Sequence, residues 1–164
     1  MNAVVGGWQV AGVQTYESGT PLSVTSPGWD SGIFAGNLGA NSRPNTVPGQ
    51  NPNGFSGKGF EFGQSRRLNP AAFVQAPNFT FGDAPRALNV REFASHNEDF
   101  NFSKQIPMGT EKVQTVFRME FFNAFNRAGQ YTGFDTGVGD SNFGHASSRQ
   151  NNPRSIQGNL RVSF

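Results

Sequence analysis

The stretch from Glu111 to Asn126 reads EKVQTVFRMEFFNAFN, and its alternation of apolar and polar residues decides the fold class. One parity is mostly apolar: Val113, Thr115, Phe117, Met119, Phe121 and Phe125. The other parity is polar: Gln114, Arg118, Glu120 and Asn126. Side chains alternate with a period of two only in a β-strand. The stretch therefore predicts one long strand over 111–126, longer than the usual globular strand of about 5–6 residues.

Three further segments carry the same alternation, over about 8–17, 98–106 and 154–164. Together they predict an all-β fold, an antiparallel meander of about four to six strands. Two long loops, about 18–97 and 127–153, separate the strands, and the first contains most of the prolines. A structureless loop of this length is uncommon. Residues 59–63 or 79–81 are therefore candidates for one additional hairpin within it.

Composition excludes several classes of protein. The chain of 164 residues has 21 Gly, 10 Pro and 17 Phe but only 5 Leu and 3 Ile, which argues against a helical bundle. With no Cys there is no disulfide and no Cys-based metal site. A net charge of +2 without a basic stripe gives no support for nucleic-acid binding. The first residues lack a basic segment and a long apolar run, so we expect no signal peptide in this chain.

Strand length and loop length favour a membrane barrel over a soluble sheet. A tilted membrane-spanning strand needs about 9–11 residues, and outer-membrane barrels join short periplasmic turns to long extracellular loops. Here residues 107–110 make a short turn, while the loops 18–97 and 127–153 are long. We therefore predict a lipid-facing set consisting of Phe100, Phe102, Val113, Phe117, Met119 and Phe121. The predicted lumen-facing set is Asp99, Asn101, Gln114, Arg118, Glu120, Asn159 and Arg161.

The strand parity fixes one orientation. If Phe164 lies at the periplasmic rim, both long loops become extracellular and the turn at 107–110 becomes periplasmic. Lys104 interrupts the apolar face of its strand. In this orientation Lys104 lies near the periplasmic end, where its stem would follow the lipid while the ammonium group reaches the interface.

Several ordered stretches carry a family resemblance. The ending IQGNLRVSF resembles the C-terminal insertion signal of bacterial outer-membrane barrels, with Ile156, Gly158, Leu160, Val162 and Phe164 at alternate positions. More specifically, the chain resembles the C-terminal end of the Oar-like TonB-dependent receptors, which carry an N-terminal carboxypeptidase-regulatory-like domain. The matching stretches, in order, are GWQVAG at 7–12, SGTP at 18–21, RPN at 43–45, LNPAAF at 68–73, FGDAPR at 81–86, DFNFSK at 99–104, FRMEFFNAFN at 117–126 and NPR at 152–154.

The resemblance implies a bacterial outer-membrane location and a parent barrel of about 22 strands, of which this chain is a terminal fragment. Such a parent imports a bulky substrate through a plugged barrel. The implied partners are the rest of the barrel and its plug, outer-membrane lipid and the barrel-assembly machinery. TonB would act only through an N-terminal part that this chain does not contain.

Catalysis and cofactor binding have little support in the sequence. His96 and His145 lie in separate loop regions without a paired carboxylate, and the segment from Asp135 to Asp140 lacks the ligand pattern of an EF-hand. We expect no enzymatic activity, no catalytic or metal-binding residue and no cofactor. The aromatic residues of the loops should pack within the loops: Trp29, Phe34, Phe55 and Phe60. The alternative left open is a soluble, secreted β-sandwich that binds glycans.

Overall fold

The structure is a computed structural model that describes residues 2–27, 42–77, 80–108, 113–127 and 130–164. The described residues form a helical turn α1 (Asn2–Val5), a 3-10 turn (Pro70–Ala72) and β-strands. In chain order the strands are β1 (Trp8–Glu17), β2 (Asn45–Thr46), β3 (Phe73–Val74), β4 (Ser95–Pro107), β5 (Gln114–Phe122), β6 (Gln130–Phe134), β7 (Ala146–Gln150) and β8 (Ser155–Ser163). The predicted all-β antiparallel fold class is confirmed.

The chain divides into two compact units. The sheet unit comprises 1–17, 95–130 and 150–164, and the loop unit comprises 18–94 and 131–149. The two segments of the loop unit are the connections from β1 to β4 and from β5 to β8. Among the described residues, no helix has the length and apolar character needed to cross a membrane.

The sheet unit is one four-stranded antiparallel sheet in the order β1-β4-β5-β8. Its four strands have 9 to 13 residues. In the described part of the chain, β1 and β8 form the two edges of this sheet, and each has one side without a hydrogen-bonded neighbour. A sheet with two such edges is open, and each edge can pair with a further strand.

The end of β5 differs from the sequence prediction. The strand stops at Phe122 rather than continuing to Asn126, because Asn123 and Asn126 adopt left-handed backbone conformations with φ of 48° and 52°. The buried Asn123 side chain also donates to the carbonyl of Asn152, while its backbone N–H donates to Asp99. At the other end, Val113 precedes the strand, and 111–112 lie outside the described residues.

The described part of the long connection from β1 to β4 adds no strand to this sheet. β1 pairs with β4 along its whole length, from Trp8 opposite Lys104 to Glu17 opposite Ser95, so nothing lies between them. The hairpin proposed at 59–63 is wrong, since this segment is a coil and turn with Gly63 at a φ of 75°. Of the other candidate, Phe79 lies outside the described residues, and residues 80–81 form no strand.

The loop unit has a hydrophobic core of its own, although it contains little regular structure. Two small sheets, β2-β3 and β6-β7, each have two strands. The core is built from residues scattered along both segments: Leu22, Val24, Leu68, Ala72, Phe73, Ala84, Leu88, Val90, Phe134, Phe143 and Ala146. Phe60 packs against it and contacts Phe55 and Phe93, with ring centroids 5.1 Å apart in both pairs. Trp29 and Phe34, also expected to pack here, lie outside the described residues.

Arginine side chains connect distant segments of the loop unit through backbone carbonyls. Arg67 donates from Nε to the carbonyl of Arg91 at 2.7 Å and lies 4.9 Å from the centre of the Phe93 ring. Its partial burial lowers the pKa of the Arg67 guanidinium. Arg43 bonds the carbonyl of Ala84 in the same way. Such bonds satisfy backbone acceptors that no regular sheet pairs.

Candidate functional site: the two faces of the strand sheet

The strand register places the residues of each parity on one face of the sheet. Phe102 of β4 lies opposite Val10 of β1 and Met119 of β5, which in turn lies opposite Gly158 of β8. We call this the apolar face; its members include Trp8, Val10, Phe100, Phe102, Phe117, Met119, Phe121, Ile156, Leu160 and Val162. The opposite, polar face includes Gln9, Asp99, Asn101, Gln114, Arg118, Glu120, Gln157, Asn159 and Arg161.

Every predicted lumen-facing residue lies on the polar face, and every predicted lipid-facing residue within a strand lies on the apolar face. Val113 is the exception, because it precedes β5 and has no partner in the sheet register. The structure thus brings each predicted set together on its own side.

The polar face carries a network around Glu120. Asn101 of β4 and Gln157 of β8 lie directly opposite this residue, and both donate to its carboxylate, Asn101 at 3.3 Å. An Arg118 guanidinium nitrogen lies 3.8 Å from the same carboxylate. Three neighbouring strands are therefore linked through one side chain, as is typical of cross-strand pairs in a sheet.

A hollow of about 530 Å³ lies on the polar face over β5 and β8. Its lining consists of Val116, Arg118, Glu120, Gln157, Gly158, Asn159 and Arg161. Two guanidinium groups thus accompany one carboxylate. The Arg118 side chain is 53% exposed, and Arg161 makes no ion pair with any described residue. The lining is polar and carries a net positive charge, so water or an acidic surface can lie against it.

The apolar face exposes large side chains along the whole sheet. Val10 is 62% exposed and Leu160 63% exposed, values that a soluble protein rarely shows over a contiguous surface. Phe102 and Phe121 pack edge to face, with ring centroids 5.6 Å apart. Contacts among its own side chains order the middle of this face, while positions such as Val10 and Leu160 stay more than half exposed.

A charged cluster that sequence analysis did not find lies where β4 begins, on the apolar face. Glu98 is fully buried, and Arg127 donates from Nε to both carboxylate oxygens, at 2.9 and 2.8 Å. The Tyr16 hydroxyl donates to the same carboxylate at 2.9 Å. This hydrogen-bonded carboxylate raises the pKa of the Arg127 guanidinium. The sequence held one signal of this cluster, a carboxylate at a position that has the same parity as Phe100 and Phe102. Its partner Arg127, however, lies 29 residues further along the chain.

Lys104 at the opposite end of β4 does not take the predicted position. Its side chain is buried, and its ammonium group donates to the carbonyls of Val4, at 3.3 Å, and Gly6. The same group lies 5.1 Å from the centre of the Trp8 ring, a cation–π distance. The N-terminal residues thus supply the acceptors that we expected the membrane interface to supply.

The predicted assembly signal lies on an edge strand. Ile156, Gly158, Leu160 and Val162 all belong to the apolar face of β8, and Phe164 follows the end of that strand, fully exposed. Because only one side of β8 is paired by a described strand, this segment offers both an exposed apolar stripe and backbone groups along one edge. A partner protein can read both features by strand addition.

The histidine and aspartate candidates have structural partners. His96 packs 5.3 Å from the Tyr16 ring, and His145 is 3.1 Å from the carbonyl of Ser65. The carboxylates of Asp135 and Asp140 accept from the backbone N–H groups two residues ahead. Among the described residues, no three His, Cys, Asp or Glu side chains gather as they would around a metal ion.

Comparison with protein families identifies the architecture. The family model described as the outer membrane beta barrel domain matches residues 1–157. The chain belongs to this family. It is accordingly an outer-membrane protein, as predicted, and its open sheet is part of a barrel wall. No curated protein and no solved structure matches the chain.

Proposed function

We propose that this chain is a wall segment of a TonB-dependent transporter, within a larger barrel that imports a bulky substrate. The observation that carries the proposal is the sheet with one apolar face, one polar face and two edges that no described strand pairs. Its apolar face would contact lipid, and its polar face would line the barrel interior. The edges of β1 and β8 would pair with the remaining strands of the barrel.

The polar face supports a plugged interior. Glu120 is held by Asn101, Gln157 and Arg118, while Arg161 lines the same hollow without an ion pair to a described residue. A plug domain with acidic groups would complement this surface. No catalytic role is proposed for these residues, and the chain itself is proposed to have no enzymatic activity.

The soluble glycan-binding sandwich is the weaker candidate. A sandwich needs a second sheet over its apolar face. In the described sheet unit, residues such as Val10 and Leu160 remain more than half exposed. Membership of an outer-membrane family also favours the barrel.

Transport through a plugged barrel is tested on the protein purified from outer membranes. In a planar lipid bilayer it should show no open-channel conductance until urea unfolds the plug. The periplasmic domain of TonB should form a cross-linked complex with it. A steady conductance without urea would contradict the plug, and the absence of a TonB complex would contradict the energy source.

The assembly signal is tested by deleting Phe164. Removal of this terminal aromatic side chain should lower the amount of protein in the outer membrane several-fold, because the assembly machinery loses a recognition group. The conservative change Phe164→Tyr, which keeps the aromatic ring, should have little effect. Unchanged surface display of the deletion variant would contradict the signal.

A further inference from the structure

The end of the sheet where β4 begins carries a guanidinium group at the margin of the apolar face. Arg127 reaches this face through Glu98, which has the same parity as Phe100 and Phe102. Phe125 lies beside it: its ring is 5.9 Å from that of Phe100 and 5.7 Å from the Arg127 guanidinium carbon. Because the long connections leave the sheet at this end, it is the extracellular end in the proposed orientation.

The Arg127 guanidinium is fixed through one of its three nitrogen atoms. Its Nε donates to Glu98, while Nη1 and Nη2 have no hydrogen-bond partner among the described residues. The Arg127 side chain is 44% exposed, whereas Glu98 is fully buried beneath it. Arg127 therefore has a guanidinium fixed at Nε with two further nitrogen donors unused, a pair that can bind two phosphate oxygens.

A second arginine is attached to the same turn. Two hydrogen bonds hold Arg154 at this turn. Its backbone N–H donates to the Asn126 side chain at 3.1 Å, and its Nη1 donates to the carbonyl of Ala124 at 3.4 Å. Its side chain makes no ion pair with a described carboxylate. Arg127 and Arg154 together balance the carboxylates of Glu98 and Asp99 at this turn, and Arg154 adds a second guanidinium that no carboxylate pairs among the described residues.

We propose that Arg127, supported by Arg154, binds the phosphate group of a lipid headgroup in the outer leaflet. The exposed Phe125 ring would lie beside the upper part of the acyl chains, and the guanidinium would lie at headgroup level. A lipid rather than free phosphate is favoured because the donors adjoin an exposed aromatic ring, 63% accessible, on the apolar face. The inference rests on the proposed contact of that face with lipid.

The test uses protein extracted from outer membranes in detergent, with dihexanoyl phosphatidic acid as the probe. Native mass spectrometry counts the bound probe as its concentration rises. Arg127→Lys should weaken binding about tenfold, because lysine can still pair with Glu98 but lacks the second pair of nitrogen donors. Arg161→Lys, the matched change on the polar face, should leave the affinity within about twofold of the parent.

Two results would overturn the inference. One is equal binding of the probe by the Arg127→Lys protein and the parent. The other is displacement of the probe by inorganic phosphate at an equal concentration, which would show an anion site without lipid preference. If Arg127→Lys fails to assemble, Arg154→Gln replaces it, since that change leaves the Glu98 ion pair intact; it should weaken binding about two- to threefold.

Lipid contact of the apolar face is measured separately. With Trp29 and every tryptophan outside this segment replaced by Phe, Trp8 is the remaining tryptophan, and brominated lipids should quench its fluorescence. Quenching of Trp8 together with unchanged probe binding in Arg127→Lys would overturn the headgroup site alone. Absence of quenching would instead contradict the proposed orientation of the sheet.

Discussion

The sheet unit and the loop unit bury opposite kinds of residue. In the described part of the sheet unit, the buried residues are polar: Glu98, Lys104, Thr115 and Asn123. In the loop unit, the buried residues are mainly apolar, with Leu68 and Ala84 completely inaccessible. None of the large apolar side chains in the described part of the sheet unit is buried, and Leu160 is 63% exposed.

This difference shows which surroundings each unit requires. The loop unit removes apolar surface from water within itself, which stabilises it by about 25 cal/mol per Å². The sheet unit leaves its apolar surface outside, so under the proposed function its stability depends on lipid against that surface and on further strands at its edges. One chain therefore contains a unit suited to water and a unit suited to a bilayer.

Truncation of a core side chain in the loop unit should have the largest effect. Leu68→Ala removes a completely buried side chain and should lower the free energy of unfolding of the loop unit by about 2–5 kcal/mol. Hydrogen exchange of the loop unit measures the change. Leu160→Ala on the apolar face, where the side chain is 63% exposed, should cost less than about 1 kcal/mol. Equal costs would contradict the contrast between the units.

A charge on the apolar face should have the next largest effect. Leu160→Arg should lower the stability of the protein in vesicles by about 2–4 kcal/mol if the residue lies near the middle of the bilayer. The neighbouring change Asn159→Arg, on the polar face, should alter it by less than about 1 kcal/mol. Urea unfolding in vesicles measures both. A similar loss for the two variants would remove the distinction between the faces.

Replacing one glycine in each unit by alanine should change the stability by the smallest amounts. At Gly82 an added Cβ would lie 1.9 Å from the carbonyl oxygen of Arg43, so Gly82→Ala should cost about 1–3 kcal/mol through a forced backbone shift. Gly158, on the apolar face, has no atom within 4 Å of that position. Gly158→Ala should therefore be neutral or stabilising by about 0.4–1 kcal/mol. Thermal unfolding in detergent compares the two, and a destabilising Gly158→Ala would indicate a neighbour on that face.

The faces of the sheet could be predicted from the sequence because they depend only on a period of two. Phe117, Arg118, Met119 and Glu120 alternate in the chain as they alternate in the sheet. The limit at Phe122 could not be predicted from that pattern, since the alternation continues through Phe125 while the Asn123 backbone turns away. The alternation of residue types shows which face each side chain takes, but it does not show the backbone conformation at which the strand ends.

The loop unit could not be predicted because its core has no period. Leu22 pairs its backbone with Val90, 68 residues further along, and Arg67 joins segments that no strand connects. The charged cluster at Glu98 was missed for the same reason, because Arg127 and Tyr16 come from different parts of the chain. Contacts at such separations leave no signature in the alternation of neighbouring residues.

The central claim, that the apolar face contacts lipid and the polar face contacts the aqueous interior, is tested most directly by spin labelling along β8. This segment has no native Cys, so single cysteines at 156–162 can each carry a nitroxide once any cysteine in the rest of the barrel has been replaced. Accessibility to oxygen, which concentrates in lipid, should peak at 156, 158, 160 and 162. Accessibility to a water-soluble nickel complex should peak at 157, 159 and 161. Oxygen accessibility without a period of two, or with the opposite phase, would contradict the account.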